Sequence, residues 1–509
     1  MSEAAVDNKR IAKNTLFLYL RMVIVMGIGL YTVRAILDLL GVVDYGIYNV
    51  IGGVVGMFSF LNGTLATASQ RFFSIELAKD DKKSLNQWFC LNITLFLLFI
   101  LIIIIFAETI GLWFVNNKMI IPEERLFAAN VVYQLSIFAF CIQLFSIPYN
   151  ALIIAYERMS AFAYISIVEA FLKLLIVFVL SVITLDKLIV YGVLMFLVSC
   201  GITSSYIFYN IRSFEVSKLH LYWNRQDMKQ LMGFSGWHLY GTISVVFRSQ
   251  AINILINMFF NPAVNAARAI AYQLYTAVSQ LSNNFFVAVT PGIYKSYANS
   301  EYKSLYLLIS RSLIASIFLV SILTIPLYFN LDFVLGLWLK EIPDYTILFA
   351  KLVLIIALID STQGSTITPA LATGRLKTFY LATGTLFILN LPISYVFLSY
   401  GFDATITMVV SIVISVIALL IRAYLLIGLI GFPLMNFMRI LGKVLLSTII
   451  IAYVTQLSVN YFESDILSLI ISVGVSSLLH FLLYMFYIFD KRERNLIINM
   501  LISKFSHGR

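Results

Sequence analysis

The sequence predicts an all-α polytopic membrane protein with about fourteen transmembrane helices and both termini in the cytoplasm. Composition is the first reason, because 61% of the 509 residues are hydrophobic and only 12% are charged. Soluble domains are typically about 45–50% apolar and about 25% charged. The alternation of basic connections and a weak internal repeat are the other two reasons.

Fourteen apolar segments can be distinguished, each close to the roughly 20 residues that a transmembrane helix needs. They lie at 15–38, 46–69, 87–114, 127–150, 160–182, 187–210, 232–258, 265–290, 304–329, 346–371, 379–400, 404–429, 438–459 and 464–488. The connections between them are short and leave no room for a sizeable soluble domain. The leader "MSEAAVDNKRIAKN" is polar, and the apolar run after it is too long for a signal peptide, so the first helix is expected in the mature protein.

Basic residues mark every second connection, as expected for cytoplasmic loops. This set comprises Lys9, Arg10, Lys13, Arg71, Lys79, Lys82, Lys83, Arg158, Arg212, Lys218, Arg225, Lys229, Lys295, Lys303, Arg311, Arg375, Lys377, Arg422, Arg439, Lys443, Lys491, Arg492, Arg494, Lys504 and Arg509. The intervening connections contain few basic residues and collect acids such as Asp44, Glu123, Asp344 and Glu463. The net charge of +10 is therefore interpreted as an orientation signal rather than a nucleic-acid-binding surface.

A weak internal repeat relates the first six helices to the next six. An offset of 220 residues aligns "GVVDYGIYNV" with "NPAVNAARAI", and an offset of 217 aligns "AYERMSAF" with "ATGRLKTF". Repeats of this kind are common in membrane transport proteins. We predict an N-terminal six-helix bundle over 1–214, a C-terminal bundle over 215–430 related to it by a pseudo-two-fold axis, and helices 13 and 14 with a cytoplasmic tail over 431–509.

Two six-helix bundles with an appended pair, the segment "RAILDLLGVVDYGIYNVIGG" and an A-x-x-R turn after helices 4 and 10 resemble the oligosaccharide and O-antigen flippases. These belong to the multidrug, oligosaccharidyl-lipid and polysaccharide exporter superfamily, and the resemblance covers nearly the whole chain. It implies a transporter that flips an undecaprenyl-diphosphate-linked oligosaccharide across the bacterial inner membrane by alternating access, for lipopolysaccharide or other surface polysaccharide synthesis. Membrane lipids and the lipid-linked oligosaccharide are the implied partners, and a polysaccharide polymerase is a candidate protein partner.

Charged residues within the hydrocarbon are costly, so each is a functional hypothesis. Five basic residues inside the predicted spans are considered as candidates, namely Arg21, Arg34, Lys173, Arg248 and Arg268. Guanidinium groups bind phosphate oxygens bidentately, and lysine offers a compact positive charge. We therefore predict that Arg248, Arg34, Lys173 and Arg268 bind the diphosphate of the substrate in an electropositive cleft between the two bundles.

Arg248 is the strongest candidate, because it lies near the middle of its span without an acid three or four residues away. The alternative is an ion pair with an acid on another helix. Arg34 precedes Asp38 by four residues, and such pairs can neutralise each other along one helix.

Glu169 precedes Lys173 by the same interval, so a local ion pair is the alternative to substrate binding there. Arg21 and Arg268 lie near span ends, where a long side chain can extend to the membrane surface.

Asp360 and Glu169 are the candidate sites for a coupling H⁺ or Na⁺, since they are the clear acids at depth. Asp360 opens the polar segment "DSTQGSTIT", and two similar segments, "SFLNGTLATASQ" and "SQLSNNFFVAVT", occupy matching positions in the two halves. These segments can either bind sugar hydroxyl groups or form hydrogen bonds between closely packed helices.

An enzyme is the competing interpretation from another class, for example a polysaccharide polymerase or a glycosyltransferase. No nucleotide-binding, Asp-x-Asp or zinc-binding motif is present, so no catalytic residue, cofactor or metal is expected. Cys90, Cys141 and Cys200 all lie inside apolar segments, where a thiol packs as a small hydrophobic group. A cation-coupled exporter of drugs or metabolites is the rival within the same fold, although its cavity would favour acids over bases.

Overall fold

The structure, a computed structural model, describes residues 3–489 except 57, 59, 118, 120, 221, 261, 340–341 and 462–464, together with residue 494. Within these residues the secondary structure is entirely helical. The predicted all-α class is therefore confirmed. Lys340, Glu463 and Arg492, which contributed to the charge pattern, lie outside the described residues.

Eighteen α-helices follow one another within the described part of the chain. They are α1 (Glu3–Gly56), α2 (Phe60–Ala78), α3 (Lys82–Phe106), α4 (Leu112–Asn117), α5 (Leu126–Ala155), α6 (Met159–Val182), α7 (Lys187–Ser213), α8 (Arg225–Phe259), α9 (Pro262–Ala298), α10 (Tyr302–Phe329), α11 (Leu331–Trp338), α12 (Thr346–Asp360), α13 (Gln363–Thr373), α14 (Leu376–Ile388), α15 (Asn390–Ser399), α16 (Ile406–Ile430), α17 (Leu434–Tyr461) and α18 (Asp465–Leu483). Two π-helical turns, Ala107–Gly111 and Tyr484–Ile488, extend α3 and α18.

Twelve helical segments of the described chain are long and apolar enough to cross a membrane. They are Arg10–Gly41, Lys82–Asn117, Glu123–Ala155, Met159–Val182, Lys187–Ser213, Arg225–Phe259, Tyr302–Phe329, Thr346–Thr373, Leu376–Ser399, Ile406–Ile430, Leu434–Tyr461 and Asp465–Ile488. Predicted segments 46–69 and 265–290 are not in this set. The first is divided between α1 and α2, and the second lies in α9, which contains the polar segment "SQLSNNFFVAVT". The count of fourteen and the orientation of the termini therefore stay predictions.

Several long helices are divided by short junctions. The junction at Gly41 leaves the helical range of φ and ψ, whereas those after Asp360 and at Leu389 keep it. Gly41 has φ 76° and ψ 169° inside α1, a conformation that glycine adopts without a Cβ clash. Ser361 and Thr362 separate α12 from α13, directly after Asp360. Leu389 separates α14 from α15, and Pro392 in the next turn has no N–H for the carbonyl of Ile388. The Asp360 carboxylate therefore lies at the end of one helix, next to a helix junction.

The chain folds as two compact units. The N-terminal unit is Arg10–Leu239, and the C-terminal unit is Tyr240–Arg509 together with Met1–Lys9. The division falls within α8, whereas the bundle limits predicted from the repeat were 1–214, 215–430 and 431–509. The predicted pseudo-two-fold relation stays a prediction.

Each unit has its own apolar core. In the N-terminal unit, α1, α6 and α7 contribute the buried side chains of Ile36, Leu40, Ile176, Leu180 and Tyr191. In the C-terminal unit, one core joins α8, α9, α10, α12 and α16. Its buried residues include Ile256, Ala267, Val320, Phe349 and Met408.

A stripe of small polar residues attaches α18 to α10 in the C-terminal unit. The stripe consists of Ser468, Ser472, Ser476 and His480, which recur every four residues and are all buried. Asn330, after the end of α10, donates to Ser472 Oγ at 2.9 Å and accepts from Ser468 Oγ at 3.0 Å. His480 Nε2 lies 2.7 Å from Ser321 Oγ. Interhelical hydrogen bonds between small residues are typical of membrane helix packing, and here they hold the C-terminal helices to their unit.

Candidate functional site

Arg248 and Asp360, which the sequence singled out separately, form an ion pair inside the C-terminal unit. Arg248 Nη2 donates to Asp360 Oδ2 at 3.3 Å, and both residues are 9% exposed. Arg248 lies in α8 and Asp360 ends α12, 112 residues further along the chain. The pairing with an acid on another helix, considered above as the alternative for Arg248, is therefore present. Binding of a diphosphate by Arg248 stays a prediction.

Three further helices complete the environment of this pair. Ser415 of α16 accepts a hydrogen bond from Arg248 Nη1 at 3.0 Å. The Phe387 ring of α14 lies 4.7 Å from the guanidinium carbon, as in a cation–π contact. Tyr275 of α9 donates its hydroxyl to Asp360 Oδ2 at 2.9 Å. We call Arg248, Tyr275, Asp360, Phe387 and Ser415 the Asp360 cluster.

Arg422 is a buried cation that the sequence analysis misassigned. We counted it among the basic residues of a cytoplasmic connection, but it lies inside α16 with only 1% of its surface exposed. Its Nε donates to the Ala418 carbonyl at 3.2 Å, and its buried Nη2 has no hydrogen-bond partner among the described residues. The guanidinium is electrostatically coupled to both Asp360 and Arg248. The signal was present in the sequence, because Arg422 lies inside the predicted span 404–429.

Arg71 requires a smaller correction of the same kind. It too was counted with a cytoplasmic connection, but it is 6% exposed in α2. Its guanidinium carbon lies 4.8 Å from the Phe72 ring and 5.0 Å from the Phe234 ring. Two aromatic faces therefore cover this cation.

Arg268 is buried inside the protein, whereas a side chain extended to the membrane surface was one interpretation of its position near a span end. It is 3% exposed and lies 4.2 Å from the Tyr272 ring. It donates to the Asn253 side chain and, at 3.2 Å, to the Ser249 carbonyl. Two neutral oxygens of α8 thus hold Arg268, and no described carboxylate forms an ion pair with it.

The N-terminal unit contains a separate cavity of about 480 Å³ between α1, α6 and α7. Its polar lining comprises Arg21, Thr32, Tyr45, Tyr48, Asn49, Ser166, Glu169, Lys173 and Tyr191. Lys173 Nζ lies 2.6 Å from Glu169 Oε1, which confirms the predicted local pair. Their side chains are 38% and 32% exposed, so this pair faces the open cavity. We call this space the N-terminal cavity.

Arg21 and Arg34 of α1 differ in their surroundings. Arg21 lines the N-terminal cavity, with its guanidinium carbon 4.5 Å from the Phe162 ring. Its Nε is buried and has no hydrogen-bond partner within the described part of the chain. Arg34 and Asp38 are both exposed. The structure thus places Lys173, Glu169 and Arg21 around one cavity, and Arg248 with Asp360 in the Asp360 cluster.

An acid–base clamp joins three segments of the N-terminal unit. Arg125 donates to Asp44 from Nε at 2.8 Å and from Nη2 at 2.6 Å, and to Asp186 from Nη1 at 2.6 Å. These hydrogen bonds from Arg125 lower the pKa of Asp186, against an opposing effect of burial. Asp186 also caps α7 by accepting from the Leu188 and Ile189 amides. The clamp therefore fixes the chain just after Gly41 to the starts of α5 and α7.

Among the described residues, no group of three or more His, Cys, Asp or Glu side chains is placed to hold a metal ion. Cys90 and Cys141 are buried and unbridged.

The fold is similar to that of solved MATE transporters. An outward-facing multidrug resistance MATE transporter of the MOP superfamily has a TM-score of 0.71 at 11% identity, covering 82% of this chain and 94% of that chain. A MATE protein in a straight conformation also scores 0.71, at 12% identity with 83% and 97% coverage. A mutant MATE transporter of Vibrio cholerae scores 0.68, at 13% identity with 84% and 99% coverage. No family model and no curated protein matches the sequence. The chain therefore has the MATE transporter fold, while the substrate has to be argued from its own residues.

Proposed function

We propose that this protein is an alternating-access transporter that moves an anionic lipid-linked oligosaccharide across a membrane. The observation that carries the proposal is the charge of the buried C-terminal region, where the described residues include three buried arginines, Arg248, Arg268 and Arg422, but one buried carboxylate, Asp360. Buried charges normally have partners. An anion that enters during transport would supply the negative charge that the protein itself does not provide.

A diphosphate-linked oligosaccharide fits these residues better than a cationic drug. Arginine forms two parallel hydrogen bonds with phosphate oxygens, and polar side chains such as Asn49 and Ser166 can bind sugar hydroxyl groups. The proposal places an undecaprenyl-diphosphate substrate in the bacterial inner membrane, for O-antigen or another surface polysaccharide, with a polymerase as candidate partner.

Within this proposal, the predicted substrate-binding cations keep distinct roles. Arg248 and Arg268 act in the C-terminal unit, and Lys173 and Arg34 act in the N-terminal unit. Asp360 and Glu169 are the candidates for H⁺ or Na⁺ coupling, because each is a carboxylate paired with one of these cations. Protonation or ion binding at either carboxylate would release its partner cation.

The decisive experiment removes both charges of the Arg248–Asp360 pair together. The double variant Arg248→Gln/Asp360→Asn leaves neither partner as an unpaired charge and replaces both with amides that can still form hydrogen bonds, so it is expected to insert and fold at normal abundance. Complementation of a flippase-deficient strain then measures glycan export. If Arg248 binds the substrate, export by the double variant falls at least about tenfold, since a charge-assisted contact worth about 1.5–3 kcal/mol is lost.

A matched control removes another ion pair from the chain. Glu76 and Lys79 of the N-terminal unit lie 2.8 Å apart at the end of α2 and its following turn. The variant Glu76→Gln/Lys79→Gln should export glycan normally. Normal export by Arg248→Gln/Asp360→Asn at normal abundance would show that Arg248 serves only the fold, and would refute the substrate role.

A cation-coupled drug exporter is the second candidate, because the similar solved structures include a multidrug resistance transporter. This function needs acids rather than bases at the site. Two results together would favour the exporter over the flippase. Proteoliposomes would accumulate a cationic dye only when Asp360 is present, and the protein would not restore glycan export in the complementation assay.

A further inference from the structure

The Asp360 carboxylate uses only one of its two oxygens. Oδ2 accepts from both Arg248 and Tyr275, whereas Oδ1 is buried and has no hydrogen-bond partner among the described residues. The bond to Arg248 is 3.3 Å long and single, although arginine and carboxylate commonly form two bonds of about 2.7–2.9 Å. A buried carboxylate with a free oxygen has the capacity for another donor.

Arg422 has the complementary deficiency. Its guanidinium carries five N–H donors, of which Nε bonds to a carbonyl of the same helix, while the buried Nη2 has no partner within the described chain. Leaving such a group unsatisfied is costly. The Asp360 carboxylate attracts Arg422, and the Arg248 guanidinium repels it.

On α14 and α16, the residues level with Arg248 and those level with Arg422 lie two helical turns apart. Ser415 and Arg422 are seven residues apart on α16, so they share one face and are separated by about 10 Å along the axis. Phe387 and Tyr380 have the same spacing on α14. Ser415 and Phe387 contact Arg248, whereas Tyr380 is electrostatically coupled to Arg422. One level thus surrounds Arg248, and the other surrounds Arg422.

We propose that Asp360 exchanges its ion-pair partner between Arg248 and Arg422, so that Arg422 is a positioning residue that frees Arg248 for an anionic ligand. This inference rests on the proposed function, in which Arg248 binds the diphosphate. In the structure, Asp360 is bound to Arg248, and no described acid forms an ion pair with Arg422. When Asp360 turns to Arg422, the Arg248 guanidinium keeps Ser415 and Phe387 and gains free donors.

The location of Asp360 permits this exchange. It is the last residue of α12, and Ser361 and Thr362 separate it from α13. Ser361 and Thr362 keep right-handed helical φ and ψ, so the exchange is a rotation of the Asp360 side chain between rotamers and not a bend of the backbone. Asp360, Arg248 and Arg422 together keep the same total charge in both arrangements. Arg248 is available to a ligand only when Asp360 is paired with Arg422.

The test measures binding of inorganic pyrophosphate, which represents the diphosphate group alone, to the full-length protein in lipid nanodiscs. If the cation is free in only a fraction of the molecules, the apparent affinity for pyrophosphate is reduced by that fraction. Asp360→Asn should therefore tighten pyrophosphate binding, by about tenfold if Arg248 is free in about one molecule in ten. Arg422→Gln should weaken binding by a similar factor, and Arg422→Lys, which keeps the charge, should stay within about threefold of the native protein.

The double variant separates exchange from direct contact. If Arg422 acts only through Asp360, Asp360→Asn/Arg422→Gln binds pyrophosphate as tightly as Asp360→Asn. If the double variant binds as weakly as Arg422→Gln, Arg422 itself contacts the ligand and the exchange is refuted. Unchanged binding by both Asp360→Asn and Arg422→Gln also refutes it.

Two controls make the outcome specific. Arg71→Gln removes a buried arginine of the N-terminal unit and should leave pyrophosphate affinity unchanged. Arg248→Gln should abolish pyrophosphate binding, and if it does not, the proposed function fails. If Arg248→Gln abolishes binding but Asp360→Asn leaves the affinity unchanged, only the exchange is refuted. Thermal unfolding of every variant identifies those that fail to fold. If Arg422→Gln is one of them, the Asp360→Asn and Arg422→Lys results decide.

Discussion

The two units hold their charged residues in contrasting ways. In the N-terminal unit, Lys173 and Glu169 lie one turn apart on α6, and about a third of each side chain is exposed to the N-terminal cavity. In the C-terminal unit, Arg248 and Asp360 come from different helices, and at most a tenth of either side chain is exposed. The difference shows that one pair is solvated and local, whereas the other depends on the packing of the whole unit.

This contrast has a physical consequence for stability. An exposed pair contributes little, because water already solvates both charges. Breaking a buried pair by removing one partner leaves an uncompensated charge in a medium of low polarity. The C-terminal unit should therefore depend on its carboxylate far more than the N-terminal unit depends on Glu169.

The largest expected effect is the loss of Asp360. Asp360→Ala should lower the free energy of unfolding by about 3–5 kcal/mol, because it leaves Arg248 buried without its acid. Glu169→Ala, the matched change in the N-terminal unit, should cost no more than about 1 kcal/mol. Unfolding in detergent with increasing denaturant measures both values. Equal losses for the two variants would contradict the distinction between a buried and a solvated pair.

An intermediate effect is expected at the serine stripe of α18. Ser472→Leu removes a bond to Asn330 and inserts a large side chain at a fully buried position, which should cost about 1–3 kcal/mol. Ser205→Leu on α7 of the N-terminal unit is the control, since Ser205 is exposed and bonds only to its own helix. The midpoint of thermal unfolding should fall for the first variant and stay within a few degrees for the second. A similar midpoint for both variants would show that the stripe is loosely packed.

The smallest effect concerns the Arg125 clamp and its dependence on pH. Because the folded-state pKa of Asp186 is lowered, its contribution to stability is present above the unfolded value of about 3.9 and disappears as the pH falls through the folded pKa. For a partly exposed pair this contribution is a few tenths to about 1 kcal/mol.

The measurement for the clamp compares thermal unfolding of the native protein and Asp186→Asn between pH 7 and pH 3. The native protein should be the more stable at pH 7, and the difference should shrink toward pH 3. A difference that grows on acidification would contradict the assigned direction of the pKa shift.

Parts of the site were readable from the sequence, and others were not. The Glu169–Lys173 pair was predicted correctly because helical geometry fixes the neighbours of a residue four positions away. Asp360 and Arg248 were each identified as deep charges, but their pairing depends on which faces of α8 and α12 meet. Arg422 was misassigned because the rule of basic cytoplasmic loops was applied to a residue inside an apolar run.

The sequence by itself determined the membrane class, the helical secondary structure and most of the span positions, because the hydrocarbon core requires long apolar helices. It did not determine whether the more polar segments 46–69 and 265–290 cross the membrane. Tertiary structure alone decided that Asp360 bonds to Arg248 and that Arg422 has no acid partner among the residues the structure describes. The reason is that contacts between residues far apart in sequence depend on helix packing, for which the local pattern of residues carries no signal.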